Sequence, residues 1–215
     1  MTPTAVFDLD KVLLGGDATT LFLRGRLRRA PQRALPALLA APVLLPGAAV
    51  PGLRPLSARA LTRLTVGGRS GDDVAALAEA YRDALARVPE AAVGDAIACV
   101  RAHRAAGARV VVATGCEVTL ARGYLTAIGL GDLHVAGSSG QLWPPRSARA
   151  MGEAKVRMLV AGGYPPPWTV VYSDSASDLP LFAGTPRPVV VNAGPGVARQ
   201  VALVLGRPPE TVTWR

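Results

Sequence analysis

The chain has 215 residues, a length that fits one domain or one domain with an insertion. Half of its residues are hydrophobic and only two are cysteines, which excludes a disulfide-stapled scaffold and favours free thiols in a reducing cytoplasm. The net charge is +9, and 22 of the 24 basic residues are arginine. Such a charge can attract anionic partners, but a solvated arginine-rich surface explains it as well, and we expect no nucleic-acid partner.

The first predicted element is a buried strand at residues 5–9. Asp8 lies near its carboxyl end and Asp10 directly follows it. Charged side chains rarely occupy the buried end of a strand unless they are paired or bind a metal. Residues two apart face the same side of a strand, so both carboxylates would point into one pocket if extended geometry continued to Asp10. Because adjacent anions repel each other, a divalent metal with a phosphate beyond it would complete such a pocket.

Residues 15–90 are predicted to be mostly helical, and no strand pattern interrupts them. This block therefore indicates a helical insertion. Its arginine run at residues 24–33 is interpreted as a solvated helix face, with a substrate clamp as the alternative. Its most apolar stretch, residues 35–56, contains five prolines and an arginine, so we expect no membrane-spanning helix there. No secretory signal pattern precedes Asp8, which favours a cytoplasmic protein.

After residue 90, predicted helices alternate with apolar strands. This alternation predicts an α/β fold with a Rossmann-like parallel sheet covered by helices on both faces, formed by residues 1–14 and 91–215. The predicted helices cover residues 93–107, 118–129, 153–160 and 195–205, the predicted strands cover residues 109–113, 169–172 and 189–191, and turns or a hairpin are predicted at residues 137–140. Ligands bind beyond the carboxyl ends of the strands in such sheets, so the polar residues that follow these strands should converge.

The residues at the strand ends suit phosphoryl transfer. Asp8 could attack phosphorus and form an aspartyl-phosphate, which divides hydrolysis into two easier steps. Asp10 would protonate the leaving oxygen and then deprotonate the attacking water. Mg²⁺ prefers oxygen ligands and substrate phosphate, and Asp8, Asp10 and Asp174, with a backbone carbonyl among the ligands, are the predicted metal site.

A second set of residues would bind the transferred phosphoryl group. Negative charge on its equatorial oxygens needs fixed donors, and the Thr114 hydroxyl, the Gly115 amide and the Lys155 ammonium are the candidates. Asp178 would hold Lys155 in position or bind a metal-bound water. The alternatives for single residues are a turn or helix-capping hydroxyl at Thr114 and an exposed helix position at Lys155. For Asp174 and Asp178 the alternative is loop solubility and capping.

Four segments occur in an order that resembles the motifs of the haloacid dehalogenase-like hydrolases, within them the phosphoserine-phosphatase-like branch (subfamily IB) with a helical cap. They are FDLDKVL at residues 7–13, VVATG at residues 111–115, GEAKV at residues 152–156 and YSDSASDLP at residues 172–180. The resemblance implies the roles given above, together with Mg²⁺ and a cap domain inserted after the first strand at residues 15–90.

Three positions depart from the pattern of this family. Val12 stands where many relatives carry threonine, although valine also occurs there. Lys11 replaces the commoner glycine, which would narrow the mouth of the site or add positive charge. Asp17 stands where phosphoserine phosphatases carry a glutamate that binds the substrate amine, so it is either a substrate ligand or a helix cap.

The expected function is Mg²⁺-dependent hydrolysis of a small phosphomonoester, phosphoserine-like or another metabolite phosphate. One alternative is a phosphotransferase that uses the same residues with an acceptor other than water. The other is a catalytically idle basic protein that binds anions, against which the intact set of acids and Lys155 argues.

Overall fold

The computed structural model describes residues 2–18, 20–22, 92–138 and 151–215, together with the helical positions 35, 39, 40, 42–44 and 46. The arginine run at residues 24–33 and most of the predicted cap at residues 15–90 lie outside the described residues. Within the described part of the chain, no helix is long and apolar enough to cross a membrane.

The described residues build a six-stranded sheet in which every neighbouring pair of strands is parallel. The strands are β1 (Thr4–Phe7), β2 (Arg109–Glu117), β3 (His134–Ser138), β4 (Val170–Ser173), β5 (Pro188–Val191) and β6 (Glu210–Val212). Their order is β3-β2-β1-β4-β5-β6. Strands β2 and β3 are added in turn on one side of β1, and strands β4, β5 and β6 are added in turn on its other side. This is the doubly wound order, in which ligands bind where the direction changes, here between β1 and β4.

The alternation of side chains along the strands divides the core into two layers. On one face, Phe7, Val112 and Tyr172 pack with residues of the helices α1 (Gly94–Ala105) and α2 (Val118–Ala127). On the other face, Val6 and Val171 pack with residues of α3 (Glu153–Ala161), α4 (Leu179–Ala183) and α5 (Pro195–Leu205). The predicted parallel sheet with helices on both faces is confirmed.

Most predicted helices are present within a residue or two of the expected bounds. Helices α1 and α2 are followed by Gly107 and Gly129, whose φ angles are 77° and 75°. This left-handed conformation favours glycine and ends a helix without strain, which is why glycine marked both ends in the sequence. Helix α5 begins at Pro195, at the first helical position that tolerates proline.

Three elements differ from the predictions. Strand β1 ends at Phe7 rather than at residue 9, because the carbonyl of Leu9 accepts the backbone amides of Leu13 and Leu14 at 3.0 and 2.9 Å and turns the chain. The predicted turn or hairpin at residues 137–140 was wrong at its start, since residues 134–138 form the edge strand β3. Helix α4 and strand β6 were not predicted from the sequence.

The chain leaves the sheet region and returns to it at adjacent points. Leu14 forms an antiparallel bridge with Ala92, and the amide of Val93 donates to the carbonyl of Leu13 at 3.1 Å. A segment whose two ends lie side by side can be inserted without disturbing the sheet, which is the arrangement expected of an inserted domain.

Candidate active site

Asp8 lies directly after β1, in the interior of the sheet. Its backbone amide donates to the carbonyl of Tyr172 at 2.9 Å, which continues the β1–β4 ladder by one residue. Its side chain is 8% exposed, and Oδ1 accepts the backbone amide of Leu9 at 2.7 Å. The carboxylate is thus fixed at the carboxyl end of the sheet, next to the change of direction between β1 and β4.

Lys155 supplies the positive charge that faces this carboxylate. It lies in the first turn of α3 and is 3% exposed, so the alternative of an exposed helix position does not hold. Its Nζ is 3.1 Å from Oδ2 of Asp8 and 2.8 Å from Oδ2 of Asp178. The contact between Asp178 and Lys155 is the one expected if Asp178 positions Lys155. The contacts of Lys155 with phosphate and of Asp178 with a metal-bound water stay predictions.

Ser173, the last residue of β4, is a site residue that the sequence analysis missed. Its hydroxyl is fully buried and donates to Oδ2 of Asp178 at 2.7 Å. The signal available in the sequence was its position one residue before Asp174 at a strand end, but a serine there is also typical of an ordinary turn.

Asp10 lies in the turn after β1, so the rule that residues two apart in a strand face the same side does not apply to Asp8 and Asp10. Its Oδ1 accepts the backbone amide of Ala18 at 2.8 Å, and its backbone pairs with Leu14 in an isolated bridge. Burial raises the pKa of the Asp10 carboxyl to about 6, and the negative charge of Asp17 adds to this shift. Asp10 can therefore exchange a proton near neutral pH.

The other ionisable groups of the site are shifted by burial as well. Burial raises the pKa of Asp8 although Lys155 opposes the shift, and burial raises the pKa of Asp174 although Lys11 opposes it. Burial alone would lower the pKa of Lys155, but the charges of Asp8 and Asp178 outweigh it and raise the pKa overall. The site thus holds more negative charge than its own lysines neutralise.

Thr114 and Gly115 lie at the carboxyl end of β2, beside the end of β1. Because Phe7 pairs with Val112, Thr114 stands one residue beyond the position next to Asp8. Thr114 is fully buried, and its Oγ1 accepts the backbone amide of Cys116 at 3.0 Å. Of the alternatives for Thr114, the turn hydroxyl is present, whereas Glu117 caps the following helix α2; the role of Thr114 toward phosphate stays a prediction.

The backbone around Gly115 leaves the regular ladder. The register between β2 and β3 shifts between Ala113 and Glu117, and the carbonyl of Gly115 accepts the Ser138 hydroxyl at 2.9 Å. A bulge of this kind interrupts the ladder and redirects backbone groups near the end of a strand.

Asp17 adopts the role of a helix cap in the structure. Its Oδ1 accepts the backbone amide of Thr20 at 2.6 Å, and its carbonyl accepts the amide of Leu21 at 3.0 Å. This is the contact that an N-cap carboxylate makes at the start of a helix. The role of Asp17 as a substrate ligand stays a prediction.

Asp174 follows β4 and contacts Lys11, a pair that the sequence analysis did not predict. The Nζ of Lys11 is 3.4 Å from Oδ2 of Asp174. The carbonyl of Lys11 accepts the side-chain amide of Asn192 at 3.4 Å. Both contacts depend on the backbone conformation after β1, which no sequence pattern specifies.

The donor set fits a hard divalent cation. Oδ1 of Asp178 is a buried oxygen without a hydrogen-bond partner among the described residues, and such an atom requires a donor or a bridging water. Burial raises the pKa of Asp8, Asp10 and Asp174, so the charged form of each carboxylate is costly without a further cation. In the described ranges, no three His, Cys, Asp or Glu side chains already form a metal-binding group. A cation would therefore rely on two or more of these carboxylates with backbone oxygen and water, as Mg²⁺ commonly does.

Comparisons with known proteins agree with this geometry. The family model of the haloacid dehalogenase-like hydrolases matches residues 5–183. A protein of unknown function from Bordetella pertussis Tohama I is 22% identical with a TM-score of 0.67, and the match covers 99% of each chain.

Two further solved structures have lower identity. A phosphoserine phosphohydrolase-like protein from Francisella tularensis subsp. tularensis SCHU S4 is 11% identical with a TM-score of 0.55, and the match covers 98% of this chain and 94% of that one. A phospho-aspartyl intermediate analogue of phosphoserine phosphatase is 15% identical with a TM-score of 0.57, with 93% and 90% covered. At such identities the three structures show a shared fold. A comparison with curated proteins gave no match.

Proposed function

This chain belongs to the haloacid dehalogenase-like hydrolases, and we propose that it is a Mg²⁺-dependent phosphatase of small phosphomonoesters with Asp8 as its nucleophile. The observation that carries the proposal is the buried Asp8 carboxylate at the end of β1, with the Lys155 ammonium 3.1 Å from its Oδ2. A cation next to a nucleophilic carboxylate can hold the phosphoryl oxygens that gain charge during transfer.

The proposed reaction has two steps. In the first, a carboxylate oxygen of Asp8 bonds to phosphorus, the bond from phosphorus to the leaving oxygen breaks, and Asp10 gives that oxygen its proton. In the second, water bonds to phosphorus, Asp10 takes the proton of the water, and the bond between phosphorus and Asp8 breaks. The Asp10 pKa of about 6 suits a group that must first give and then take a proton.

The remaining residues hold the phosphoryl group and the cation. The Lys155 ammonium, the Thr114 hydroxyl and the Gly115 amide are the proposed donors to phosphoryl oxygens. Asp8, Asp10 and Asp174 are the proposed residues for Mg²⁺, and Asp178 keeps Lys155 in place through its 2.8 Å contact. When bound, Mg²⁺ supplies positive charge that neutralises phosphate oxygens beside the nucleophile.

We further propose the division of the chain into a core, residues 1–14 and 91–215, and a cap, residues 15–90. The bridge between Leu14 and Ala92 supports this division, because the two ends of the insertion meet beside the site. A cap in that position would choose the substrate that reaches Asp8. Free thiols at Cys99 and Cys116 support a reducing, cytoplasmic setting for the protein.

The test is release of inorganic phosphate from p-nitrophenyl phosphate and from a panel of metabolite phosphates, with Mg²⁺ and with EDTA. We expect turnover that requires Mg²⁺ and that EDTA removes. Loss of substrate without release of inorganic phosphate would indicate a phosphotransferase. Absence of turnover on the whole panel would indicate a protein that only binds anions.

A further inference from the structure

Lys11 lies at the mouth of the site and is not accounted for by the proposed reaction. It follows Asp10 in the turn after β1, and its side chain is 62% exposed. Its Nζ lies 3.4 Å from Oδ2 of Asp174, whose side chain is 14% exposed. The chain contains one other lysine, Lys155, and that residue is buried against Asp8. Lys11 therefore places a solvent-exposed positive charge beside the mostly buried Asp174.

The backbone at Lys11 has an unfavourable conformation for its residue type. Lys11 has a φ of 59° and Asn192 has a φ of 51°, and they are the non-glycine residues with positive φ in the described part of the chain. Glycine adopts this region without cost, whereas a long side chain does not. The two residues contact each other, since the Asn192 amide donates to the Lys11 carbonyl at 3.4 Å and Oδ1 of Asn192 accepts the amide of Trp214 at 2.7 Å.

A structural role does not explain a lysine at this position. An ion pair with a side chain this exposed contributes little to folding because water screens it. The conformation costs free energy that glycine would not cost. Strained non-glycine residues cluster where function requires them, and here the strained residue adjoins Asp10 and contacts Asp174.

Asp174 cannot remain the partner of Lys11 throughout the proposed reaction. As a proposed ligand of Mg²⁺, its carboxylate would be shared with a divalent cation, which repels a neighbouring ammonium. A flexible, mostly exposed lysine side chain can then turn toward another anion at the mouth. An anion at that place would belong to the substrate, beyond the phosphate.

We propose that Lys11 binds a second anionic group of the substrate and thereby selects phosphomonoesters that carry a carboxylate or a second phosphate close to the scissile one. This inference rests on the proposed phosphatase function. It assigns to Lys11 the choice of substrate class and leaves bond breaking to Asp8 and Asp10.

The test compares phosphoglycolate with ethyl phosphate, which have the same two-carbon skeleton and differ by one carboxylate. The wild type should have a kcat/KM for phosphoglycolate about tenfold or more above that for ethyl phosphate. Lys11→Gly should lose about tenfold on phosphoglycolate and change less than about twofold on ethyl phosphate. Lys11→Arg should keep most of the preference, because it keeps the charge.

Two controls separate a local contact from other effects. Arg101→Met removes one positive charge from an exposed position of α1 and should leave the preference unchanged. The melting temperature of Lys11→Gly should be unchanged or raised, since glycine relieves the positive φ. A marked fall in melting temperature would indicate a structural role, and an equal loss on both substrates would indicate an effect on the metal site; each result overturns the proposal.

Failure of the phosphatase function would be recognised separately. If neither these substrates nor p-nitrophenyl phosphate is turned over, calorimetry with both ligands in the presence of Mg²⁺ decides the role of Lys11. Tighter binding of phosphoglycolate by the wild type, lost in Lys11→Gly, would support it. Equal binding of the two ligands, or no binding of either, would overturn it.

Discussion

At the scale of single residues, the buried contact of Lys155 with Asp8 and Asp178 is the feature on which the site depends most. One ammonium lies within 3.1 Å of both carboxylates, and all three side chains are almost fully buried. Removing one partner of a buried ion pair leaves an uncompensated charge, which costs more than the intact pair contributes.

We therefore predict that Lys155→Met lowers the free energy of unfolding by about 3 kcal/mol in metal-free buffer. Asp178→Asn should cost less in the Lys155→Met background than in the wild type, because that carboxylate has then already lost its partner. Urea denaturation of the two single variants and the double variant measures both effects. Additive losses would contradict the direct coupling of Lys155 and Asp178.

The sequence predicts the residues of this cluster but not all of their contacts. The sequence identifies Asp8 and Asp178 because they are acids that follow predicted strands. It identifies Lys155 by its place in the motif at residues 152–156. The contact of Lys11 with Asp174 depends on the left-handed turn after β1, and lysine gives no signal of such a turn. For Asn192 the sequence likewise predicts a position after a strand but not its contact with Lys11.

At the scale of elements, the edge strand β3 packs through Gly137 against the end of β2 that carries Thr114 and Gly115. A Cβ atom added at Gly137 would lie 3.1 Å from the carbonyl oxygen of Cys116 and 3.2 Å from Cγ2 of Thr114. These distances are shorter than ordinary van der Waals contact, so a larger side chain would push the backbone that carries Thr114 and Gly115.

We predict that Gly137→Ala destabilises the protein by about 1–3 kcal/mol and lowers turnover per folded molecule. Gly184→Ala, whose Cβ would lie 2.5 Å from Trp168 on the other face of the sheet, should destabilise without lowering turnover per folded molecule. Gly196→Ala, with open space around it, should do neither. Melting curves and phosphatase assays of the three variants check this, and an unchanged turnover in Gly137→Ala would contradict the role of β3.

The strands that the sequence failed to predict are those with the weakest apolar pattern. Strand β3 contains His134, Gly137 and Ser138, a composition that is also typical of turns. Strand β6 has three residues and is mostly exposed. The strands β1, β2, β4 and β5 are buried on both faces, so each has a continuous apolar run that predicts a strand from the sequence.

At the scale of the whole molecule, the excess of buried carboxylates links stability to pH and to Mg²⁺. The folded-state pKa of Asp10 is about 6 against a usual value of 3.8, and burial raises the pKa of Asp8 and Asp174 in the same direction. Between the two pKa values the folded state binds more protons than the unfolded state. These groups therefore make metal-free protein less stable as the pH rises through that window.

We predict that Mg²⁺ raises the melting temperature more at about pH 8 than at about pH 5, because protons compete with the cation for the same carboxylates. Differential scanning fluorimetry with Mg²⁺ and with EDTA at both pH values measures the effect. Asp174→Asn should reduce the response to Mg²⁺. An equal or larger effect of Mg²⁺ at the lower pH would contradict binding to these groups.

The order of the strands explains why residues far apart in the sequence meet. Asp8 follows β1 and Asp174 follows β4, the two strands between which the sheet changes direction. Sequence analysis predicted this convergence from the alternation of helices and strands alone. For residues 15–90 the sequence predicts helices but not how they would pack, because apolar periodicity does not specify the contacts between helices.

The most direct test of Asp8 as the nucleophile is the turnover of p-nitrophenyl phosphate with Mg²⁺ by Asp8→Asn. Burial disfavours the charged form of Asp8, and Lys155 keeps its 2.8 Å contact with Asp178 in this variant, so an amide should be tolerated and the variant should stay folded. We predict a loss of about 10³-fold or more in kcat with a folded protein, while the exposed Asp132→Asn remains as active as the wild type. An Asp8→Asn enzyme that keeps its activity would contradict the account.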